Sequence, residues 1–354
     1  MHVRLTESRQ NEDVLEYEIA RKKRKKPDYY KHLADTLDYQ TIKRLTQLAI
    51  AADNLDAVMG LLKANVYAAT DILDTEDGVR FFSEKVKDQG DFMPEVYFFI
   101  RRPISPKYKS IFRRLARQSI LKLSLKITSK GIRGKFKKSV PYYQIGMPEF
   151  SLDETIQHNP LKIHEKSINY KDIYGIVRKR QKRKVVLILD TSGSMYGRLL
   201  LNAALTTSVL AYNMEKEDYA IVLFNSTAMT LKKINQKRTT LKIIDDILDS
   251  EAVGFTDIHL GLEKGLGELN KTREARKSRF GILISDGIFN RGKNPIEVAK
   301  LFPKLHVIGM PAENDAAQGI RTCREIAEAG RGKFYAVTDY KEIPRALMEL
   351  LTHD

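Results

Sequence analysis

The sequence predicts an α/β fold over residues 184–354, with a doubly wound, mostly parallel six-stranded sheet flanked by helices. A basic, mainly α-helical region over residues 1–150 precedes it. Two observations carry this prediction. From residue 185 onward, short runs rich in Val, Ile and Leu alternate with helical patterns, which is typical of a sheet that helices cover on both faces. Before that point, apolar residues recur every three or four positions, as they do in amphipathic helices.

The first 90 residues carry two amphipathic patterns, over 33–49 and 55–72, and each predicts a helix. Asp53 and Asn54 separate them. We expect Asn54 to cap the second helix, because an Asn side chain can accept a hydrogen bond from the free N–H groups at a helix start. Six consecutive Lys or Arg residues over 21–26 favour a solvated helix end or linker over a contact with nucleic acid or an acidic partner.

Residues 101–138 hold 14 Lys or Arg and no Asp or Glu. The spacing predicts an amphipathic helix, followed by a short β segment near 121–127 where Leu and Lys alternate. The candidates for partner or nucleic-acid contacts are basic residues of this stretch, namely Arg113, Arg114, Arg117, Lys122 and Lys126. A solvated surface is the favoured interpretation, while an acidic protein partner, nucleic acid and anionic lipid stay open as alternatives.

The formal net charge of +16 is unevenly distributed along the chain. Residues 1–184 hold 38 basic and 23 acidic residues, a balance of +15, and the remaining residues have a balance of +1. A basic, partner-seeking region is therefore joined to a neutral domain. A single cysteine, the lack of an apolar run near 18 residues and the lack of a signal-peptide pattern predict a cytoplasmic protein without a transmembrane segment.

Residues 151–183 are predicted to connect the two regions, beginning with a short helix and ending in a basic run. The strands predicted after them are Val185–Leu189, Tyr219–Phe224, Ala228–Ile234, Phe280–Ser285, His306–Met310 and Phe334–Val337. The helices predicted between and after these strands are Leu199–Met214, Leu241–Leu248, Ile258–Leu269, Ile296–Phe302, Arg321–Ala329 and Glu342–Leu350. In such a sheet, ligands bind at the carboxyl ends of the strands.

Polar side chains follow the first predicted strand at the position where a ligand crevice is expected. Asp190 offers a carboxylate, and Ser192 and Ser194 lie two residues apart in a turn that Gly193 eases. Such hard oxygen donors suit Mg²⁺, with Mn²⁺ or Ca²⁺ as alternatives, better than zinc. The strand end therefore predicts a divalent-metal site.

This arrangement resembles the metal-ion-dependent adhesion site of the von Willebrand factor type A (VWA) family, whose pattern Asp-x-Ser-x-Ser is matched by Asp190, Ser192 and Ser194. The resemblance implies two further metal residues, a threonine at Thr256 and a second aspartate at Asp286. In that family the hydroxyls coordinate the metal directly and the aspartates act mainly through bound waters. One departure is the bulky Phe255, where many members have glycine.

No pattern of a catalytic site accompanies these residues, so we expect a binding protein and not an enzyme. The serines do not lie in a Gly-x-Ser-x-Gly elbow, and no histidine is tied to them by a recognisable motif. The loop over 131–135 lacks the spacer and the hydroxyl residue of a phosphate-binding loop. Cys323 falls on the apolar side of a predicted helix and is expected in the core.

The resemblance implies a partner, because in the family an Asp or Glu of another protein completes the metal coordination. A C-terminal VWA domain after a basic helical region looks like the CoxE group and the D subunit of magnesium chelatase, which work beside MoxR-type AAA+ ATPases. On this interpretation the protein is a metal-dependent adaptor in protein remodelling or cofactor insertion. Its ATPase would be a separate chain, because the sequence contains no P-loop motif.

An alternative is an RNA-binding protein similar to the Ro autoantigen, which also joins a basic helical region to a C-terminal VWA domain. The basic balance of residues 1–184 favours it, whereas the lack of a repeat period in those residues opposes it. Extracellular adhesion is the weakest interpretation, because the sequence offers neither a signal-peptide pattern nor paired cysteines.

Overall fold

A computed structural model describes residues 2–21, 25–88, 92–128, 136–139, 141–147, 149–180, 183–195, 198–214, 217–271, 279–311, 316–338, 342, 346 and 349. In the N-terminal part the described helices are α1 (His2–Ala20), α2 (Pro27–Ala34), α3 (Tyr39–Ala51), α4 (Leu55–Ala64), α5 (Val66–Leu73), α6 (Glu76–Asp88), α7 (Met93–Ile100) and α8 (Pro106–Thr128). The mainly helical character predicted for this region is confirmed.

Asparagine caps set the boundaries of the short helices in this region. The Asn54 side chain accepts a 3.1 Å hydrogen bond from the Ala57 N–H, so the predicted cap of α4 is confirmed. Asn65 does the same for α5 through the Ala68 N–H at 3.0 Å. Each cap satisfies one N–H that the helix leaves without an acceptor, which explains why one predicted pattern over 55–72 becomes two helices.

The β segment predicted near 121–127 is wrong, because α8 continues unbroken to Thr128. Its buried residues Phe112, Ala116, Ile120 and Ser124 lie four positions apart, which is the period of one helix face. The Ser124 hydroxyl donates to the Ile120 carbonyl at 2.8 Å, so the helix can bury this polar side chain. The alternation of Leu and Lys therefore reflects two helix-favouring residue types and not a strand period.

A small antiparallel sheet lies between the helical region and the large sheet in the chain. Its strands are β1 (Phe136–Ser139), β2 (Glu149–Ser151) and β3 (Tyr174–Arg180), in the order β1-β3-β2. Helices α9 (Leu152–His158) and α10 (Pro160–His164) stand between β2 and β3, and α9 is the short helix predicted there. The loop over 131–135 lies outside the described residues.

The large sheet has six strands in the order β6-β5-β4-β7-β8-β9, all parallel except β6, so the predicted α/β fold is confirmed. Its strands are β4 (Lys184–Asp190), β5 (Asp218–Phe224), β6 (Ala228–Lys232), β7 (Arg279–Ser285), β8 (Leu305–Gly309) and β9 (Arg331–Ala336). The helices are α11 (Arg198–Asn213), α12 (Thr240–Leu248), α13 (Ile258–Asn270), α14 (Pro295–Ala299) and α15 (Ala316–Ala329). Most of the helix predicted over 342–350 lies outside the described residues.

The two faces of the central strand belong to two separate cores. Val185, Leu187 and Leu189 join a core with the N-terminal helices and with α11 and α12, while Val186 and Ile188 face a second core with α13 and α15. This alternation follows the two-residue period of a strand. Helix α8 packs on α11 and α12, so the helical region covers one face of the large sheet indirectly.

After β4 the chain forms β5 and β6 on one side of β4. It then crosses to the other side of β4, where it forms β7, β8 and β9. This reversal of strand order is the topological switch point of the sheet, and a crevice opens there at the carboxyl ends of the two strands. Among the described residues no helix is long and apolar enough to cross a membrane.

Candidate metal centre

The five predicted metal residues come from three separate stretches of chain that meet at the switch point. Asp190 ends β4, and Ser192 and Ser194 lie in the turn that follows it. The Ser192 and Ser194 hydroxyl oxygens are 3.1 Å apart, and the Ser194 hydroxyl is 3.5 Å from that of Thr256, in the loop before α13. Asp286 follows directly after β7.

Backbone hydrogen bonds hold these loops in register. The Gly193 N–H donates to the Gly254 carbonyl at 2.9 Å, and the Val253 N–H donates to the Thr191 carbonyl at 3.0 Å. A β-carbon on Gly193 would lie 3.1 Å from the Gly254 oxygen, so the two loops approach closely. Gly254 itself has φ of +80°, a conformation that favours glycine.

The site is buried at its base and open on one side. Asp190 and Ser192 are fully buried, Thr256 and Asp286 are 2% exposed, and Ser194 reaches the solvent. Phe255, whose bulk departs from the family pattern, is 60% exposed, so its ring lies largely in solvent. A ligand can therefore approach the hydroxyl groups from the Ser194 side.

The base of the site holds two buried carboxylates, and no Lys or Arg in the described part of the chain is among the groups that shift their pKa values. Burial, with a further contribution from the charge of Asp286, raises the pKa of Asp190 to about 7. Burial also raises the pKa of Asp286, although the Ile288 N–H, which donates to its Oδ1 at 2.9 Å, and the Ser194 side chain lower it in part. A cation between these groups would favour their charged forms.

The donor set fits a hard divalent cation. Asp286 Oδ2 is a buried oxygen that accepts no hydrogen bond from any described residue. An unsatisfied buried polar atom costs roughly 1–3 kcal/mol, and a cation bound at this oxygen would offset that cost. Together with three converging hydroxyls, this oxygen is of the chemical type that Mg²⁺ and Ca²⁺ prefer.

Sequence reasoning missed two residues that position the ligands. The Ser285 hydroxyl donates to Asp190 Oδ2 at 2.6 Å and accepts from the Gly287 N–H at 3.0 Å. The Asn290 side-chain oxygen accepts from the Thr256 N–H at 2.9 Å. Ser285 stands next to a predicted ligand and could have been suspected from its place at a strand end, whereas nothing in the sequence separates Asn290 from an ordinary loop residue.

Cys323, predicted to be a core residue, is buried in α15 directly behind the site. Its Sγ lies 3.8 Å from the Ser285 carbonyl oxygen. Burial raises its pKa far above the ordinary value for a thiol, and the nearby carboxylates act in the same direction. The thiol therefore serves packing and is unsuited to act as a nucleophile.

The basic residues of α8 that were predicted as partner contacts are distant in the chain from this site, and three of them have partners within the protein. Arg113 forms a 2.7 Å ion pair with Asp249, and Arg117 a 2.6 Å ion pair with Asp245. The Lys122 amino group donates to the Val86 carbonyl at 3.0 Å. Arg114 is exposed, while the Lys126 side chain lies outside the described part. Both Asp245 and Asp249 belong to the α/β domain, at α12 and its C-cap.

The fold is thus an α/β domain in which hydroxyl and carboxylate oxygens converge at the carboxyl edge of a doubly wound sheet. Residues 184–349 match the family model described as von Willebrand factor type A domain. The chain therefore carries a VWA-like domain after a mostly helical region, as predicted. Such a domain is associated with protein–protein interaction or adhesion.

Similar proteins were found among curated sequences and solved structures. The chain is 31% identical over 127 residues to inter-alpha-trypsin inhibitor heavy chain H3 of Pongo abelii, a match that covers 32% of this chain and 14% of that protein. An uncharacterized protein of Methanocaldococcus jannaschii is 32% identical over 119 residues, covering 32% of this chain and 27% of that protein. An aerotolerance-related membrane protein from Bacteroides fragilis aligns with a TM-score of 0.40 and 20% identity, over 49% of this chain and 100% of that chain.

Proposed function

We propose that the protein is a non-catalytic adaptor that binds a partner protein through a divalent metal ion. Asp190, Ser192, Ser194, Thr256 and Asp286 would hold the metal, Mg²⁺ in the first instance, with Mn²⁺ or Ca²⁺ as alternatives. The observation that carries the proposal is the convergence of three hydroxyls, two of them 3.1 Å apart, beside a buried Asp286 oxygen that lacks a donor among the described residues.

The roles of the residues follow from their places in the site. The hydroxyls of Ser192, Ser194 and Thr256 contribute neutral oxygens, and only the two aspartates contribute negative charge. The protein oxygens would surround a bound divalent cation on its buried side only. On the solvent side, near Ser194, the cation would still be open to a further ligand. A carboxylate from an Asp or Glu of a partner is the ligand that such a position attracts. Ser285 and Asn290 act as positioning residues for Asp190 and Thr256.

We further propose that a separate MoxR-type AAA+ ATPase is among the partners and that the protein works in the cytoplasm. The support is the order of the regions, with a basic helical region ahead of a C-terminal VWA domain, as in the CoxE group. The adaptor would then couple ATP hydrolysis in the other chain to remodelling or cofactor insertion in a client.

Metal dependence is tested by equilibrium unfolding in urea with increasing Mg²⁺. A ligand present at 100 times its dissociation constant stabilises the native state by about 2.7 kcal/mol. We expect the wild type to gain stability with Mg²⁺ and Thr256→Ala to gain almost none. Thr322→Ala, which removes a hydroxyl from the surface of α15, is the matched control and should respond like the wild type. A wild type whose stability is indifferent to Mg²⁺, Mn²⁺ and Ca²⁺ would refute the proposal.

Partner capture is tested with the full chain as bait in source-cell lysate containing Mg²⁺, half of each sample being treated with nuclease. An ATPase recovered by the wild type, lost with Asp190→Ala and indifferent to nuclease supports the adaptor. Recovery of nuclease-sensitive RNA by both baits would favour the Ro-like alternative, in which the basic N-terminal region is the functional surface.

A further inference from the structure

Two exposed phenylalanines lie close in sequence to Thr256 and Asp286, two of the proposed metal residues. Phe255 precedes the metal-site residue Thr256 and is 60% exposed, and Phe289 follows Asp286 by three residues and is 39% exposed. Single exposed apolar side chains are common on protein surfaces, whereas an apolar patch rimmed by polar residues marks a site of protein contact. We call these two residues the aromatic rim.

The backbone brings the two members of the aromatic rim onto adjacent loops. The N–H groups of Asn290 and Arg291 lie 3.3 and 3.2 Å from the Thr256 carbonyl oxygen and donate to it. Thr256 and Asn290 form a second hydrogen bond, in which the Thr256 N–H donates to the Asn290 side-chain oxygen at 2.9 Å. Phe255 and Phe289 each stand one residue before a member of this pair. The backbone positions of both phenylalanines therefore lie next to the hydrogen-bonded pair of Thr256 and Asn290.

The charge of the surrounding loop favours a negatively charged ligand. Arg291 and Lys293 are exposed, and neither forms an ion pair with any residue that the structure describes. The carboxylates of the site, Asp190 and Asp286, are buried beneath the hydroxyls and would be neutralised by a divalent cation. The half-buried carboxylate of Asp257 lies against Gly292 in the same loop, where it caps α13 by accepting from the Leu260 N–H at 2.9 Å. With a metal bound, the surface offered to a partner would thus consist of the metal, two aromatic rings, two cations and this capping carboxylate.

We propose that the partner segment carries a large apolar side chain next to its metal-binding Asp or Glu, within an otherwise acidic sequence. The carboxylate binds the metal, the apolar side chain packs on Phe255 and Phe289, and further acidic residues lie near Arg291 and Lys293. This inference rests on the proposed metal-dependent adaptor, because it assigns the specificity of that same site. Apolar contact beside a desolvated polar anchor is the arrangement that concentrates binding energy in protein interfaces.

A random peptide display library selected on the full-length protein in Mg²⁺ tests the inference. The baits are the wild type, Phe255→Ala, Phe289→Ala and, as a matched control, Leu301→Ala. Leu301 is equally prominent at 61% exposure but follows α14 at the opposite edge of the sheet. We expect wild-type and Leu301→Ala baits to enrich peptides with a large apolar residue beside an Asp or Glu. Enriched peptides should bind the two rim variants about tenfold more weakly, because removal of a large apolar contact costs on the order of one factor of ten in affinity.

The outcomes separate this inference from the function on which it rests. Mg²⁺-dependent enrichment of acidic peptides without an apolar neighbour, or with equal affinity for the rim variants, would overturn the aromatic rim and leave the adaptor standing. Enrichment that persists in EDTA, or no enrichment of acidic peptides at all, would overturn both. Mg²⁺-dependent dimers of the wild type in sedimentation, lost in Phe255→Ala, would identify a second copy as the occupant and overturn the proposal of an acidic partner segment. Mg²⁺ stabilisation of Phe255→Ala equal to that of the wild type shows that the variant retains its metal site.

Discussion

Arg113 of the helical region and Asp249 of the α/β domain form a 2.7 Å ion pair, 136 positions apart in the chain. The other oxygen of Asp249 accepts a hydrogen bond from the hydroxyl of Tyr97, a fully buried residue of α7. Asp249 caps the C-terminal end of α12, four residues before Val253, whose N–H donates to the Thr191 carbonyl in the turn after β4. The helical region is therefore anchored to the segment that leads into the loop of the candidate metal residue Thr256.

We expect Asp249→Ala to destabilise the protein by about 2 kcal/mol, since it leaves the buried Tyr97 hydroxyl without its acceptor and removes the partner of Arg113. Urea unfolding measured at pH 7 gives the change. Glu251→Ala is the control, because its ion pair with Arg102 joins side chains that are 50% and 53% exposed and such pairs contribute little. Equal losses in the two variants would show that Asp249 does not anchor the helical region.

At Gly287 the backbone conformation and a close contact with α15 both require glycine. It has φ of +77°, and a β-carbon there would lie 2.1 Å from the Gly319 carbonyl oxygen of α15. We expect Gly287→Ala to reduce the free energy of unfolding by about 3 kcal/mol or more, through backbone strain and steric overlap. Gly267→Ala on α13 meets nothing within 4 Å and should stabilise the protein by about 0.5–1 kcal/mol. Thermal or urea unfolding of both variants checks the opposite signs.

The α/β fold was predictable because short continuous apolar runs, typical of strands buried on both faces, alternate with helical patterns. The central strand β4 is apolar from Val185 to Leu189, and the polar residues of the site begin with Asp190 at its carboxyl end. The sequence therefore locates the candidate site as well as the sheet. The structure then brings the hydroxyls of Ser192, Ser194 and Thr256 together as the resemblance implied. That these residues bind a metal stays a prediction.

The features that were missed depend on contacts between distant parts of the chain. The residues near 121–127 alternate like a strand, but the buried face of α8 continues through Ile120 and Ser124. The basic residues of α8 suggested a surface for partners, yet Arg113 and Arg117 contact acidic residues more than 120 positions later. Local periodicity contains no information on such long-range pairs. The hydrogen bond from the Thr256 N–H to Asn290, 34 positions apart, could not be predicted for the same reason.

Lys232 makes stability depend on pH in a defined direction. Burial lowers the pKa of its amino group to about 8, although the group still donates to the Tyr219 carbonyl. Because the unfolded lysine titrates near 10.4, the unfolded state binds more protons than the native state between about pH 8 and 10.4. The contribution of Lys232 therefore becomes less unfavourable as pH rises through this window.

Lys232→Met removes this contribution, so its stability relative to the wild type should fall as pH rises from 7.5 to 10. Urea unfolding over that range measures the difference. The adjacent Lys233→Met is the control, because that lysine side chain is exposed. Parallel pH profiles for Lys232→Met and Lys233→Met would contradict the lowered pKa.

Asn290 is expected to support metal binding without touching the metal. Its side chain accepts from the Thr256 N–H at 2.9 Å, so Asn290→Ala leaves a buried donor unpaired and loosens the loop that presents the Thr256 hydroxyl. A loss of about 1 kcal/mol would raise the Mg²⁺ dissociation constant by roughly fivefold. Titration calorimetry gives that constant, and Asn235→Ala, in an exposed loop after β6, is the control. Asn290→Asp keeps an acceptor at the same place and should recover most of the affinity, whereas a purely structural role would lower stability without raising the dissociation constant.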